Sequence, residues 1–316
     1  MSTRRLYCTY FDSQYLARGL VMLRSVRRWD PSASILVLAL DELCEKVVRA
    51  AFDNQVEVLP QRELLETDRD LASVGERRAG WPYYATHKPV FLLSVLLAEA
   101  PGTTVIFIDA DTWFYSSPEP MLAELGEASI GLSPHRFSDG NGDLVKFGIY
   151  NAGCLYFRVD QTAIDCVASW RAECLDWCAE EATADGRFMN QGYLNRWPAR
   201  YSGVHLIGHP GVNVAPWNVN DHRVDQIGDE VLVDGQPLIF YHYSSMHCDR
   251  DGNWYSLANY FRSQFEVVVE AIYKPYAAAV EREHAYLREI FGLERGGSVR
   301  EVTIGPEAVQ VYSTGA

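Results

Sequence analysis

Residues 104–115, Thr-Val-Ile-Phe-Ile-Asp-Ala-Asp-Thr-Trp-Phe-Tyr, run from an apolar strand straight into two aspartates spaced i, i+2. A strand this apolar is built for burial, and burying unpaired charge at its end is costly. Asp109 and Asp111 are therefore expected where a sheet opens into a cleft. Two carboxylates held so close repel, and one would protonate unless a cation lies between them. A hard divalent ion answers that need, and such an ion in turn suits a diphosphate.

The chain has 316 residues, 48% of them hydrophobic and 12% aromatic, enough for a large core. The longest apolar stretch, near Pro89–Leu97, is interrupted by Ser94 and far too short to span a bilayer. No basic segment followed by an apolar run opens the chain, so the expected location is cytoplasmic. A net charge of −14 argues against nucleic acid as a partner. It would also repel a diphosphate, so the site has to supply positive charge locally. The seven cysteines are scattered, and Cys174 and Cys178, four apart on an expected helix, make a poor disulfide. Reduced, buried thiols are expected.

Strand and helix alternate over the first 110 residues, which predicts a doubly wound α/β sheet. Leu6–Tyr10 reads as a strand, Asp12–Arg28 as an amphipathic helix, and Ile35–Leu40 as a buried strand ended by Asp41. A helix to about Phe52 and a strand at Val56–Leu59 follow. The charged segment Arg62–Arg78 is expected to be a solvated excursion. Pro82 opens a helix to about Ala98. Beyond Pro118 the expected strands are Ser129–Ser133, Ile149–Val159, Val204–Val214 and Leu238–Tyr243. Thr162–Glu181 is expected to be a helix carrying Trp170 and Trp177. Residues from Trp254 to about Phe291 are expected to be helical, with a frayed tail after them. The loop His135–Gly148, rich in Gly and Asp, has little to bury and is expected either to close over a ligand or to be an ordinary surface hairpin.

Polar islands sit inside these apolar segments: Lys88, Tyr150-Asn151-Ala152-Gly153, Asn190-Gln191, Asn213–Asn218, and Tyr241-His242-Tyr243-Ser244-Ser245. Amides and histidines so placed suit sugar hydroxyls and a metal shell. This set, in this order, resembles bacterial glycosyltransferases of the type A fold, near glycosyltransferase family 8. The resemblance covers residues 6 to about 250. It implies a single Rossmann-like domain with a mixed central sheet (residues 1–250) and a helical C-terminal extension (251–316).

What the resemblance implies can be carried over by position. Asp109 touches ribose and metal, Asp111 is a direct metal ligand, and His242 is the third ligand of Mn²⁺ or Mg²⁺. Lys88 contacts donor phosphate or sugar, Asn151 binds the donor sugar, and Gln191 lies near the anomeric carbon. Thr9 and Tyr10, after the first strand, contact the nucleotide base, and Asp41 joins the donor-binding set. The partners are a nucleoside diphosphate sugar, UDP by default, and a glycan or small-molecule acceptor.

Two departures stand out. The family has Asp-Gln where this chain has Asn190-Gln191, which leaves Asp185 as a substitute carboxylate. The family's glycine-lysine-proline-tryptophan segment after the metal histidine is replaced by Ser245-Met246-His247-Cys248, which shifts phosphate contacts to His247 or Arg250. His87 is expected on a helix surface or in the core rather than in a catalytic role, and Trp113, Phe114 and Tyr115 are expected either to pack or to stack on a sugar. Two rival readings remain. One is a haloacid dehalogenase-type phosphotransferase, although there the threonine does not directly follow the second aspartate as Thr112 does. The other is a catalytically silent sugar-binding scaffold.

Overall fold

A computed structural model describes residues 4–249, 251–257, 265–294 and 308–314. The chain divides into two units. One comprises residues up to Tyr10, Ser32–Asp109 and Met121–Gly208; the other comprises Phe11–Pro31, Ala110–Pro120 and the described residues from His209 onward.

The first unit is built on a mixed seven-stranded sheet. In sheet order its strands are Glu57–Pro60, Ser34–Ala39, Arg5–Phe11, Thr104–Ile108, Tyr150–Arg158, Ile130–Pro134 and Val204–Leu206. Arg5–Phe11 and Thr104–Ile108 run parallel, with Cys8 opposite Phe107. Tyr150–Arg158 runs antiparallel to Thr104–Ile108, with Cys154 opposite Ile108. The central strands are continuous apolar runs because both faces are covered: Leu6, Tyr7 and Cys8 are all buried, as are Val105 through Ile108. In an open α/β sheet, a crevice forms at the carboxyl ends of strands where the chain order reverses. Here that point lies between Arg5–Phe11 and Thr104–Ile108, so Tyr10 and Asp109 sit at its mouth.

Helices start where the sequence supplies caps. Asp41 accepts the Cys44 N–H at 2.7 Å ahead of Glu42–Ala51, and Asp160 accepts the Ala163 N–H at 2.8 Å ahead of Gln161–Asp176. The Gly80–Ala98 helix buries every residue from Ala85 to Leu92, Lys88 included.

Several expectations are corrected in this unit. Arg62–Arg78 is not a solvated excursion. It forms two short helices, Gln61–Thr67 and Arg69–Gly75, whose Leu64, Leu71 and Val74 join the core. The helix expected to reach Glu181 ends at Asp176, and Trp177 is its extended cap. The strand expected over Val204–Val214 stops at Leu206.

In the second unit Thr112–Phe114 pairs antiparallel with Phe240–His242, Thr112 facing His242. The Leu16–Trp29 helix packs on the first of these strands. On this helix Gly19 makes room for the Phe11 ring, since a Cβ there would lie 2.5 Å from it. Residues from Trp254 do not begin a helix. Asn253–Leu257 is a strand paired with Ala308–Ser313, inside the tail expected to fray. Helix occupies Phe265–Val268 and Lys274–Phe291, joined by a π turn at Val269–Tyr273. A π turn frees a backbone carbonyl. The Ile272 carbonyl accepts both the Tyr115 hydroxyl, at 2.9 Å, and the Tyr243 hydroxyl, at 3.0 Å. Tyr276 stacks on Tyr243 with ring centroids 3.6 Å apart.

All seven cysteines are buried and none is in a disulfide. Among the described residues no helix is long and apolar enough to cross a membrane.

Candidate active site

Asp109 follows its strand directly and is pinned on both sides. Its N–H donates to the Gly153 carbonyl at 2.9 Å. Lys88 Nζ donates to Asp109 Oδ1 and to the Ala152 carbonyl, each at 2.9 Å. The same ammonium lies 4.3 Å from the Phe107 ring centroid. The Lys88 side chain is only 5% exposed, and its pairing with Asp109 and its hydrogen bond to Ala152 offset the cost of burying it.

Asp111 lies in the second unit. His242 Nε2 lies 3.1 Å from Asp111 Oδ1, and the Tyr243 N–H donates to the Asp111 carbonyl at 2.8 Å. Burial pushes the Asp111 carboxyl up, but the imidazole of His242 and the charge of Arg18 outweigh it and hold the group below the usual carboxylate range. Trp217 meets the His242 ring edge-on, centroids 5.2 Å apart. One ligand atom from each of Asp109, Asp111 and His242 falls within 4.8 Å of the others. The three residues expected to ligate a metal are brought together.

A polar frame surrounds Asn151. Its Oδ1 accepts the Gly153 N–H at 2.9 Å, and its amide lies 3.2 Å from His135 Nε2. Gln191 Oε1 accepts the Ala152 N–H at 3.0 Å, while its Nε2 donates to the Phe147 carbonyl at 3.0 Å. Gln191 thus ties the Asn151 strand to the end of the His135–Gly148 loop. That loop buries more than its composition promised: His135, Ser138 and Asn141 are all inside. His135 carried no sequence-based role, and only the strand register, Ser133 opposite Asn151, brings it here.

Asn190 explains the missing carboxylate. Its Nδ2 donates to the Ala85 carbonyl at 2.9 Å, and its own carbonyl accepts the Trp170 indole at 2.7 Å. An ionised carboxylate has no hydrogen to give Ala85, so this position is built for an amide. Asp185 is exposed in a turn, bonded to the Thr183 hydroxyl and paired with Arg187 at 2.9 Å.

Thr9 and Tyr10 lie within the first strand rather than after it, and Thr9 is 1% exposed. The Thr9 hydroxyl and both amide atoms of Asn213 are buried with no hydrogen-bond partner among the described residues. Asp41 spends one oxygen on its helix cap. His87 is fully buried beside Gln61, as expected of a core histidine, and burial lowers it to about 4. Phe114 is buried, while Trp113 packs against Tyr115 and Tyr276. His247 begins a two-residue strand, and Arg250 lies outside the described residues.

No protein-family model matches the chain. YfnF of Bacillus subtilis (strain 168) is 32% identical over 246 residues, spanning 75% of this chain and 80% of YfnF. YfnD of the same organism is 26% identical over 278 residues, spanning 87% of this chain and 88% of YfnD. Both are described only as uncharacterized proteins. Among solved structures, the galactosyltransferase LgtC in complex with donor and acceptor sugar analogues matches with a TM-score of 0.51 at 17% identity, covering 76% of this chain and 87% of LgtC. The chain belongs to the family of YfnF, and its fold is that of the type A glycosyltransferases.

Proposed function

We propose that this chain is a metal-dependent glycosyltransferase that moves a sugar from a nucleoside diphosphate, UDP, to an acceptor hydroxyl. One observation carries the reading: Asp109, Asp111 and His242 converge to within 4.8 Å at the mouth of the sheet crevice of a type A fold. Two carboxylates and one imidazole suit Mn²⁺ or Mg²⁺, and the imidazole favours Mn²⁺. Bound there, the ion would act as a Lewis acid on the leaving diphosphate.

The residues divide the remaining work. Lys88 places a buried positive charge beside Asp109, where it offsets negative charge brought by the donor. Tyr10 and Asp41, at the carboxyl ends of neighbouring strands, flank the nucleoside, with the Thr9 hydroxyl behind them. Asn151 orients the donor sugar. Gln191, fixed at both ends of its amide, lies nearest the anomeric carbon, and transfer retains configuration. Asp185 takes no step, because Arg187 and Thr183 already occupy it. Residues 1–250 carry this chemistry and 251–316 extend it. The complex of LgtC with donor and acceptor sugar analogues supports a donor and an acceptor partner here. The scaffold alternative drew on Asn190, whose bond to Ala85 gives it a structural purpose instead.

Hydrolysis and transfer from a panel of nucleotide sugars, each assayed with Mn²⁺ and with EDTA, test the proposal. Metal-dependent turnover of one donor is the expected outcome; activity undiminished in EDTA would end the metal reading.

A further inference from the structure

Arg18 lies near the N-terminal end of the Leu16–Trp29 helix and is only 6% exposed. A buried guanidinium normally has a carboxylate partner, because desolvating a lone charge is costly. Arg18 forms no ion pair with a carboxylate among the described residues. Its Nη2 donates to the Met246 carbonyl at 2.5 Å. Nε and Nη1 find no acceptor among the described residues, and neither is fully shut off from solvent. The rings of Tyr15 and Trp254 each lie 5.6 Å from the guanidinium carbon, an arrangement that restricts the group while leaving edge donors available.

The placement matters as much as the missing partner. Met246 closes a turn on Tyr243, its N–H donating to the Tyr243 carbonyl at 3.2 Å. Tyr243 follows His242 and bonds to the Asp111 backbone. Arg18 is therefore anchored on the turn that directly follows His242, whose ring pairs with Asp111 and whose neighbour Tyr243 bonds to the Asp111 carbonyl. This end of the helix also favours anions and disfavours cations.

We infer that Arg18 binds the diphosphate of the donor, presenting its unpaired guanidinium edge to phosphate oxygens beside Asp111. The planar fork of arginine matches phosphate geometry, which a point charge does not. The inference rests on the proposed function and assigns the local positive charge that a chain of net charge −14 has to provide for such a ligand.

The test uses Arg18→Met, close in bulk but neutral, and Arg18→Lys. Calorimetry with Mn²⁺ measures binding of UDP, GDP, CDP and ADP and of the corresponding monophosphates. For the nucleotide that binds best, Arg18→Met should weaken diphosphate binding ~10-fold or more relative to monophosphate, the scale of one charge-assisted hydrogen bond. Arg18→Lys should recover part of the loss. The melting temperature of Arg18→Met without ligand should fall only slightly, since the variant loses one hydrogen bond to Met246 and no contact ion pair. Unchanged diphosphate preference overturns the inference, and so does an Arg18→Met protein that fails to fold, because either result makes Arg18 structural. A wild-type protein that binds none of the diphosphates overturns the proposed function itself, and the inference with it.

Discussion

Asp109 and Asp111 are two residues apart, yet they are held by opposite means. Asp109 is locked: a lysine that cannot leave the interior donates to it, and the same lysine donates to the Ala152 carbonyl. Asp111 is poised: its partner is the imidazole of His242, a group that can release a carboxylate and ligate a metal through the same nitrogen. Within one short motif, the first carboxylate is fixed by permanent charge and the second waits on an exchangeable partner. That difference suits a site that must be ordered before its ligand arrives and still take up an ion.

The largest expected effect breaks both halves at once. EDTA should abolish transfer and Mn²⁺ restore it, and Asp111→Asn should lower turnover by at least ~10²-fold, the cost of losing a main electrostatic stabiliser. Steady-state rates measure it. Next, the comparison is sharpened by removing each partner. Lys88→Met should destabilise the fold by about 2–3 kcal/mol, because it removes the buried ammonium paired with Asp109. His242→Ala should lower the melting temperature less while weakening Mn²⁺ and nucleotide binding more. Equal losses in melts and calorimetric titrations would erase the distinction.

Smaller effects probe the helix that carries Lys88. Asn190→Asp should cost about 1–2 kcal/mol by leaving the Ala85 carbonyl without its donor. It should not raise activity; a faster enzyme would show that the missing carboxylate had been catalytic. Acid should loosen the same helix through His87, which burial holds down to about 4. Its folded pKa lies below the unfolded one, so stability is complete above about 6.5 and is lost as pH falls toward 4. By pH 5.5 the loss should reach about 1 kcal/mol, and His87→Gln should flatten melting profiles over that window.

Where the sequence was legible, the signal was local. The strands of the first half announced themselves as unbroken apolar runs, and the Asp-x-Asp motif stood out because it ended one of them. His242 was singled out through the resemblance, in its Ile-Phe-Tyr-His-Tyr context. The segment Arg62–Arg78 misled because only Leu64, Leu71 and Val74 turn inward and charge hides their spacing. Asn253–Leu257 misled because its longer partner strand, Ala308–Ser313, lies far along the chain and its nearer one, His247–Cys248, is only two residues long. The reach of His135 to Asn151 and the lone burial of Arg18 depend on register and packing, which no window of sequence displays.

The π turn at Val269–Tyr273 sets a rule about length. It is an α-helix with one residue too many, kept because the Ile272 carbonyl is wanted by two tyrosines. Deleting one residue there would swing everything downstream by about 100° around the helix axis. Tyr276 would leave the Tyr243 ring, and Glu283 would turn away from Arg24, to which it now bonds at 2.8 Å. The count from Val269 to Tyr276 is therefore a fixed gauge. Relatives that retain the paired tyrosine hydroxyls should retain that count, and those that shorten it should have lost the pair.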